Sequence, residues 1–204
     1  MKPIEKAAAL DALGEDLELI HNAVRNGWQD YLDVFTPAQR MKLSSRSRAS
    51  VVNDLIVDRA RMAFDGHLRA ECLDINKMFV VAFQGGIAVR FKKLDEGFVA
   101  SGIPTGQAME FVRQGALPGI GDGIHLHAGY RLDEFETELE GIYLTCPRGR
   151  SANYWWHELG VDEDEGRGTT VVLPFEPPGP LSPVDRPFRI VRRDGEEKDA
   201  ADKQ

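Results

Sequence analysis

The chain has 204 residues, 42% of them hydrophobic and 28% charged, an ordinary globular composition that excludes wholesale disorder and favours one domain with a tail over two domains. Its formal charge of −8 argues against a strongly non-specific DNA binder. The acidity is uneven, because residues 131–204 carry −7 of it while residues 36–69 are locally basic through Arg40, Lys42, Arg46, Arg48, Arg59, Arg61 and Arg69.

Leu13, Leu17, Ile20, Val24, Trp28, Tyr31 and Phe35 recur at spacings of three or four, which predicts an amphipathic helix of about six turns ending before Thr36-Pro37. A serine-rich connection from Lys42 to Ser50 can cap a second helix running to about Phe64, with Gly66 as its stop. On it Asp54, Asp58 and Arg61 fall at spacings that pair charges on a solvated face.

Phe79 to Asp95 then read as a β-hairpin, since Gly85-Gly86 between two runs of β-branched and aromatic residues suits a two-residue turn. With Gln84 opposite Ile87, Val81 faces Arg90 and Phe79 faces Lys92. Arg90 and Lys92 are thereby expected on one face with Phe79, Val81 and Phe83, and Lys93 on the other. The ordinary reading of that mixture is two cations laying their stems over Phe79 and pairing with acids at the sheet rim. The functional reading is a surface that binds phosphate or nucleic acid through Arg90, Lys92, Lys93, Phe79 and Phe83.

A short helix is predicted around Ile103–Arg113, entered at Pro104 or Thr105 and closed by Gly115. The glycines at 119, 121 and 123 read as a turn, because no lysine–serine pair and no helix follow them. Strands are expected at His125–Leu132, at Gly141–Cys146 before Pro147, and at Tyr154–Leu159. In the last of these Trp155 and Trp156 point to opposite faces, one to the core and one outward as an anchor for a partner.

The predicted fold is α+β, a mostly antiparallel sheet with two N-terminal helices and one further short helix, filling residues 1–160. Residues 161–204 are acidic and then proline-rich. They are expected to form a largely disordered tail, with one possible strand at Thr169–Leu173 and Phe188 as a potential partner anchor. Cys72 and Cys146 are too few for a disulfide framework and are expected as free thiols. The start of the chain lacks the apolar run of a secretion signal, and no apolar stretch approaches the ~20 residues that span a bilayer. A cytoplasmic protein without membrane contact is expected.

No complete catalytic motif accompanies these elements. A restriction-type nuclease built on Lys92 needs a carboxylate two residues earlier to hold Mg²⁺, and that position is Arg90. Asp54, Glu71, Asp74 or Asp95 could substitute only by an unusual arrangement. A metal-independent mechanism would use Arg90, Lys92 and Lys93 to stabilise developing charge, with His125 or His127 as acid or base. His125 and His127 point the same way on their strand. They could ligate zinc with Cys72, Cys146 or His157, but no ligand pair has a metal-site spacing, so ordinary sheet-surface histidines, no metal and no cofactor are expected. The catalytic candidates are therefore Arg90, Lys92, Asp54 and His125.

As a set, Ala88-Val-Arg-Phe-Lys-Lys-Leu-Asp95, Ile103-Pro-Thr-Gly-Gln-Ala108, Leu117-Pro-Gly-Ile120 and Ala128-Gly-Tyr-Arg-Leu-Asp133 resemble an uncharacterised family of bacteria and temperate phages, over about Ile20 to Leu159. The resemblance implies a neighbouring gene for a helix-turn-helix regulator with an ImmA/IrrE-type peptidase domain. That is the arrangement of a toxin–antitoxin or phage-defence module, in which this chain would be the effector. It implies a partner and a setting and carries no reaction with it. The alternatives are a non-enzymatic module binding protein or nucleic acid, and a divergent metal-dependent nuclease.

Overall fold

A computed structural model describes residues 3–160 apart from 120 and 122. The tail expected at 161–204, its possible strand and Phe188 lie outside the described residues. Four helices precede the sheet: α1 (Lys6–Leu13), α2 (Asp16–Val34), the single turn α3 (Pro37–Arg40) and α4 (Ser45–Phe64). Strands β1 (Ala70–Ile75), β2 (Met78–Phe83) and β3 (Ile87–Lys93) follow. Helix α5 (Gly106–Val112) then leads to β4 (Ile124–Leu132), β5 (Leu139–Pro147) and β6 (Asn153–Glu158).

The expected first helix begins three residues later than its hydrophobic pattern. Gly14, at φ +50, breaks the chain after Leu13, and that leucine closes the separate helix α1. The serine cap of the next long helix is as predicted, with the Ser44 hydroxyl accepting from the Ser47 N–H at 3.2 Å. Helices α2 and α4 cross at Gly27, where a Cβ would come within 2.7 Å of the Ile56 backbone. Only glycine permits that approach.

The six strands lie in sequence order, antiparallel except for β3 and β4, which run parallel with α5 in the connection between them. Helices α1, α2 and α4 cover one face of the sheet. Ile20, Val24, Trp28, Ile56 and Phe64 pack there against Val81, Phe83, Val89, Phe91, Leu126 and Leu144 in one buried cluster. Helix α5 covers part of the other face, where Phe111 and Leu117 join Ile75, Met78 and Val80 in a smaller cluster. Both cysteines are free thiols. Among the described residues no helix is long and apolar enough to cross a membrane.

The hairpin register departs from the expected one by a residue, and that reverses its meaning. Phe83 faces Ile87, Ala82 faces Ala88 and Val81 faces Val89, so the turn has three residues, Gln84, Gly85 and Gly86. Gln84 leaves the ladder because its N–H donates to the Arg69 carbonyl at 2.8 Å and its side-chain amide to that of Leu68 at 2.9 Å. A slip of one residue moves every side chain of a strand to the other face. Phe79, Val81 and Phe83 therefore belong to the helix-covered core, and Arg90 and Lys92 emerge on the α5 side.

Candidate functional site: an unneutralised cationic cleft

Phe79 and Phe83 are buried on the face away from Arg90, with Phe83 edge-on to Phe64 at 5.4 Å and Phe79 stacked on Phe91 at 6.2 Å. They are core residues and do not line the cationic site. Lys93 is absent from the cleft that Arg90 and Lys92 line, although it borders the wider groove they share. Its ammonium pairs with Glu136, which in addition accepts from Arg48 and from the Ser45 hydroxyl. Burial raises the Glu136 carboxyl, but the donors Lys93, Ser45 and Arg48 outweigh it and hold the group down at about 2.

Arg90 and Lys92 have no such arrangement. Both are partly buried and share one face of β3, and among the described residues neither has a carboxylate within ion-pairing distance. Burial lowers the Arg90 guanidinium to about 10 and the Lys92 ammonium to about 8, with repulsion from Arg90 adding to the latter. Both remain charged at neutral pH. Among the described residues Arg90 has a weak compensating contact, its guanidinium lying 5.9 Å from the centre of the Phe111 ring.

These two side chains line a cleft of about 220 Å³, closed by His127, Asn153, Arg150 and the segment 99–104. They also line a more open groove of about 770 Å³, whose other wall is the first half of α4 and includes Asp54. Among the described residues Asp54 is the one carboxylate lining that groove. Asp95 reaches the cleft, but its Oδ1 is engaged by the Gly97 and Val99 N–H groups of its own turn. The paired carboxylates of a Mg²⁺ nuclease are not assembled here.

His125 and His127 do point the same way, but they are buried, contrary to the expectation of sheet-surface histidines. The ring of Phe111 lies flat on both, at 4.6 and 5.0 Å. His125 Nδ1 donates to the Phe111 carbonyl at 3.1 Å, because a carbonyl can only accept, and burial lowers its pKa against that bond. Burial, with Arg90, Lys92 and His125 adding, lowers His127 to about 3, so its imidazole is neutral in the cleft wall. Cys72 pairs across from Val81, and Cys146 and Leu144 belong to the helix-side core, with His157 opposite Leu144. The possible zinc ligands are thus on the other face from the two histidines. Among the described residues no three His, Cys, Asp or Glu side chains form a group that could hold a metal ion.

Helix α5 is fixed over this face by a residue the sequence reading passed over. Gln114, at φ +59, accepts from the His125 N–H at 2.8 Å and donates to the carbonyls of His125 and Pro147 at 2.9 and 3.2 Å. Its amide replaces a missing stretch of sheet pairing. Arg150 and Asn153 were equally silent in the sequence, since nothing in their spacing places them beside β3.

No protein-family model matches the chain, and no curated protein or solved structure is significantly similar to it. The two tryptophans divide as their alternation predicts. Trp155 turns to the helix side, where its indole N–H donates to the Ile4 carbonyl at 2.8 Å and ties down the segment before α1. It is not a surface anchor. Trp156 is 46% exposed on the face that carries the cleft.

Proposed function

We propose that the protein binds a phosphate-bearing ligand in the cleft lined by Arg90 and Lys92, and that this cleft is the working site of the effector of a two-gene module. The observation that carries the binding reading is the pair of half-buried cations that have no carboxylate partner among the described residues. A protein that needed them only for structure would neutralise them, since an uncompensated buried charge is costly. A phosphate group is an anion with several acceptor oxygens, and it suits a guanidinium and an ammonium two residues apart on one strand face. Neutral His127 keeps further positive charge out of the wall. The effector assignment rests on the resemblance of the hairpin and the segments after it to the phage-associated family.

Calorimetric titration with inorganic pyrophosphate tests the cleft. Saturable, salt-weakened binding is expected for the wild type, and a loss of tenfold or more for Arg90→Gln with Lys92→Gln in a variant whose circular dichroism is unchanged. Equal binding by both proteins, or none by the wild type, overturns the reading. In the same pair, growth arrest on expression without the neighbouring regulator is expected only for the wild type, and no arrest in either removes the effector assignment.

A further inference from the structure

Beside the cleft, the same face carries an aromatic stack that the core does not need. Phe98 and Trp156 lie face to face with centroids 4.2 Å apart and planes within 15°. The Arg131 guanidinium covers the Phe98 ring at 4.8 Å, and Tyr143 backs the pair edge-on, 4.8 Å from Phe98 and 5.9 Å from Trp156. Phe98 is held there at a backbone cost. It sits at φ +60, a region that non-glycine residues seldom occupy, fixed by its N–H to the Asp95 carbonyl at 3.0 Å and by the Asn153 amide on its own carbonyl at 2.8 Å. Asn153 and Val99 also line the cleft, so the stack and the cleft share a wall.

Two residues before Trp156, at the register shift between β5 and β6, Tyr154 is 44% exposed, with the Arg148 guanidinium 5.6 Å from its ring centre. Arg148 lies by Tyr154 and Arg150 lines the cleft, and among the described residues neither has a carboxylate in ion-pairing range. Rigid aromatic faces interleaved with free guanidinium groups fit a ligand that alternates flat rings with negative charge.

We infer that the Trp156–Phe98 stack is a base-stacking platform, and that the ligand of the adjoining cleft is a single-stranded nucleic acid whose phosphates pass Arg148 and Arg150 to reach Arg90 and Lys92. This rests on the phosphate-binding reading of the cleft and narrows its ligand class. Stacking on aromatic side chains needs an unpaired base, which selects single strands over duplex.

Fluorescence anisotropy with a labelled oligouridine, alongside pyrophosphate calorimetry, tests it. The wild type is expected to bind the oligouridine and to bind the same strand in a duplex more weakly. Trp156→Ala should weaken oligouridine binding by roughly 5- to 150-fold, the range for loss of one stacked base, and leave pyrophosphate affinity unchanged. Trp156→Phe should restore most of it, and Arg148→Gln should weaken it severalfold and reduce its salt dependence. Wild-type binding of pyrophosphate but not of oligouridine, or undiminished oligouridine binding by both Trp156→Ala and Arg148→Gln, overturns the inference while the phosphate reading stands. Absence of pyrophosphate binding by the wild type overturns both.

Discussion

Lys92 and Lys93 are neighbours on β3, yet the sheet treats them in opposite ways. Lys93 enters the helix-covered face and meets Glu136, which also gathers Arg48 and Ser45, so its charge is neutralised within a closed structural cluster. Lys92 enters the other face next to Arg90 and meets no carboxylate among the described residues. Lys93 thus follows the rule for stability, in which buried charge is paired and bonded. The α5 face breaks that rule at one place, where the chain also builds a cleft. Local violations of this kind are expected where a protein retains a binding site at the expense of stability.

The largest expected effect comes from removing what closes the α5 face. Phe111 is fully buried and lies on both histidines, so Phe111→Ala should destabilise the protein by about 3–5 kcal/mol in urea unfolding, the usual cost of deleting a core aromatic. A loss under 1 kcal/mol would mean that α5 is not packed on the sheet as described.

Acid probes the same face through its histidines. The folded-state pKa of His127 is depressed to about 3 from 6.5, so between those values the unfolded chain binds a proton that the folded chain does not. Stability should therefore fall as pH drops through that window, by up to ~1.4 kcal/mol per pH unit from this residue. Glu136 adds to the loss only below its ordinary value of 4.5, as protonation frees it from Lys93 and Arg48. Denaturant midpoints of wild type and His127→Gln between pH 6.5 and 4.5 isolate the histidine. Parallel curves would show that the imidazole is not held neutral.

Much of the fold was legible because it rests on local patterns. The periodic face of α2, the Ser44 cap of α4, the Thr105 entry to α5 and the alternation in β4 to β6 all follow from residue spacing. The hairpin register was not, because two-residue and three-residue loops both suit a Gly-Gly turn, and the choice depends on Gln84 bonding to Arg69 and Leu68. One signal was there to be used. Only the three-residue loop places Phe79, Val81, Phe83, Ile87, Val89 and Phe91 on one face, whereas the two-residue loop sets Arg90 and Lys92 among aromatics. The two-residue reading therefore gave Arg90 and Lys92 the wrong neighbours. Helix α1 and strand β1 escaped because neither has a strong period, and the roles of Gln114, Asn153 and Arg150 depend on long-range placement that no spacing encodes.

The smallest effect is also the most telling. Lys93→Met breaks a partly buried pair and should cost about 1–2 kcal/mol, between the values for exposed and buried ion pairs. Lys92→Met removes an uncompensated charge and should have the opposite sign, a gain of about 1 kcal/mol. The direct test is the thermal midpoint of the wild type and Lys92→Met, each measured with and without inorganic pyrophosphate. The variant should melt higher than the wild type in buffer alone, and pyrophosphate should raise the wild-type midpoint far more than that of the variant. A variant that melts lower in buffer and gains as much from pyrophosphate would contradict the claim that Lys92 is kept for an anionic ligand.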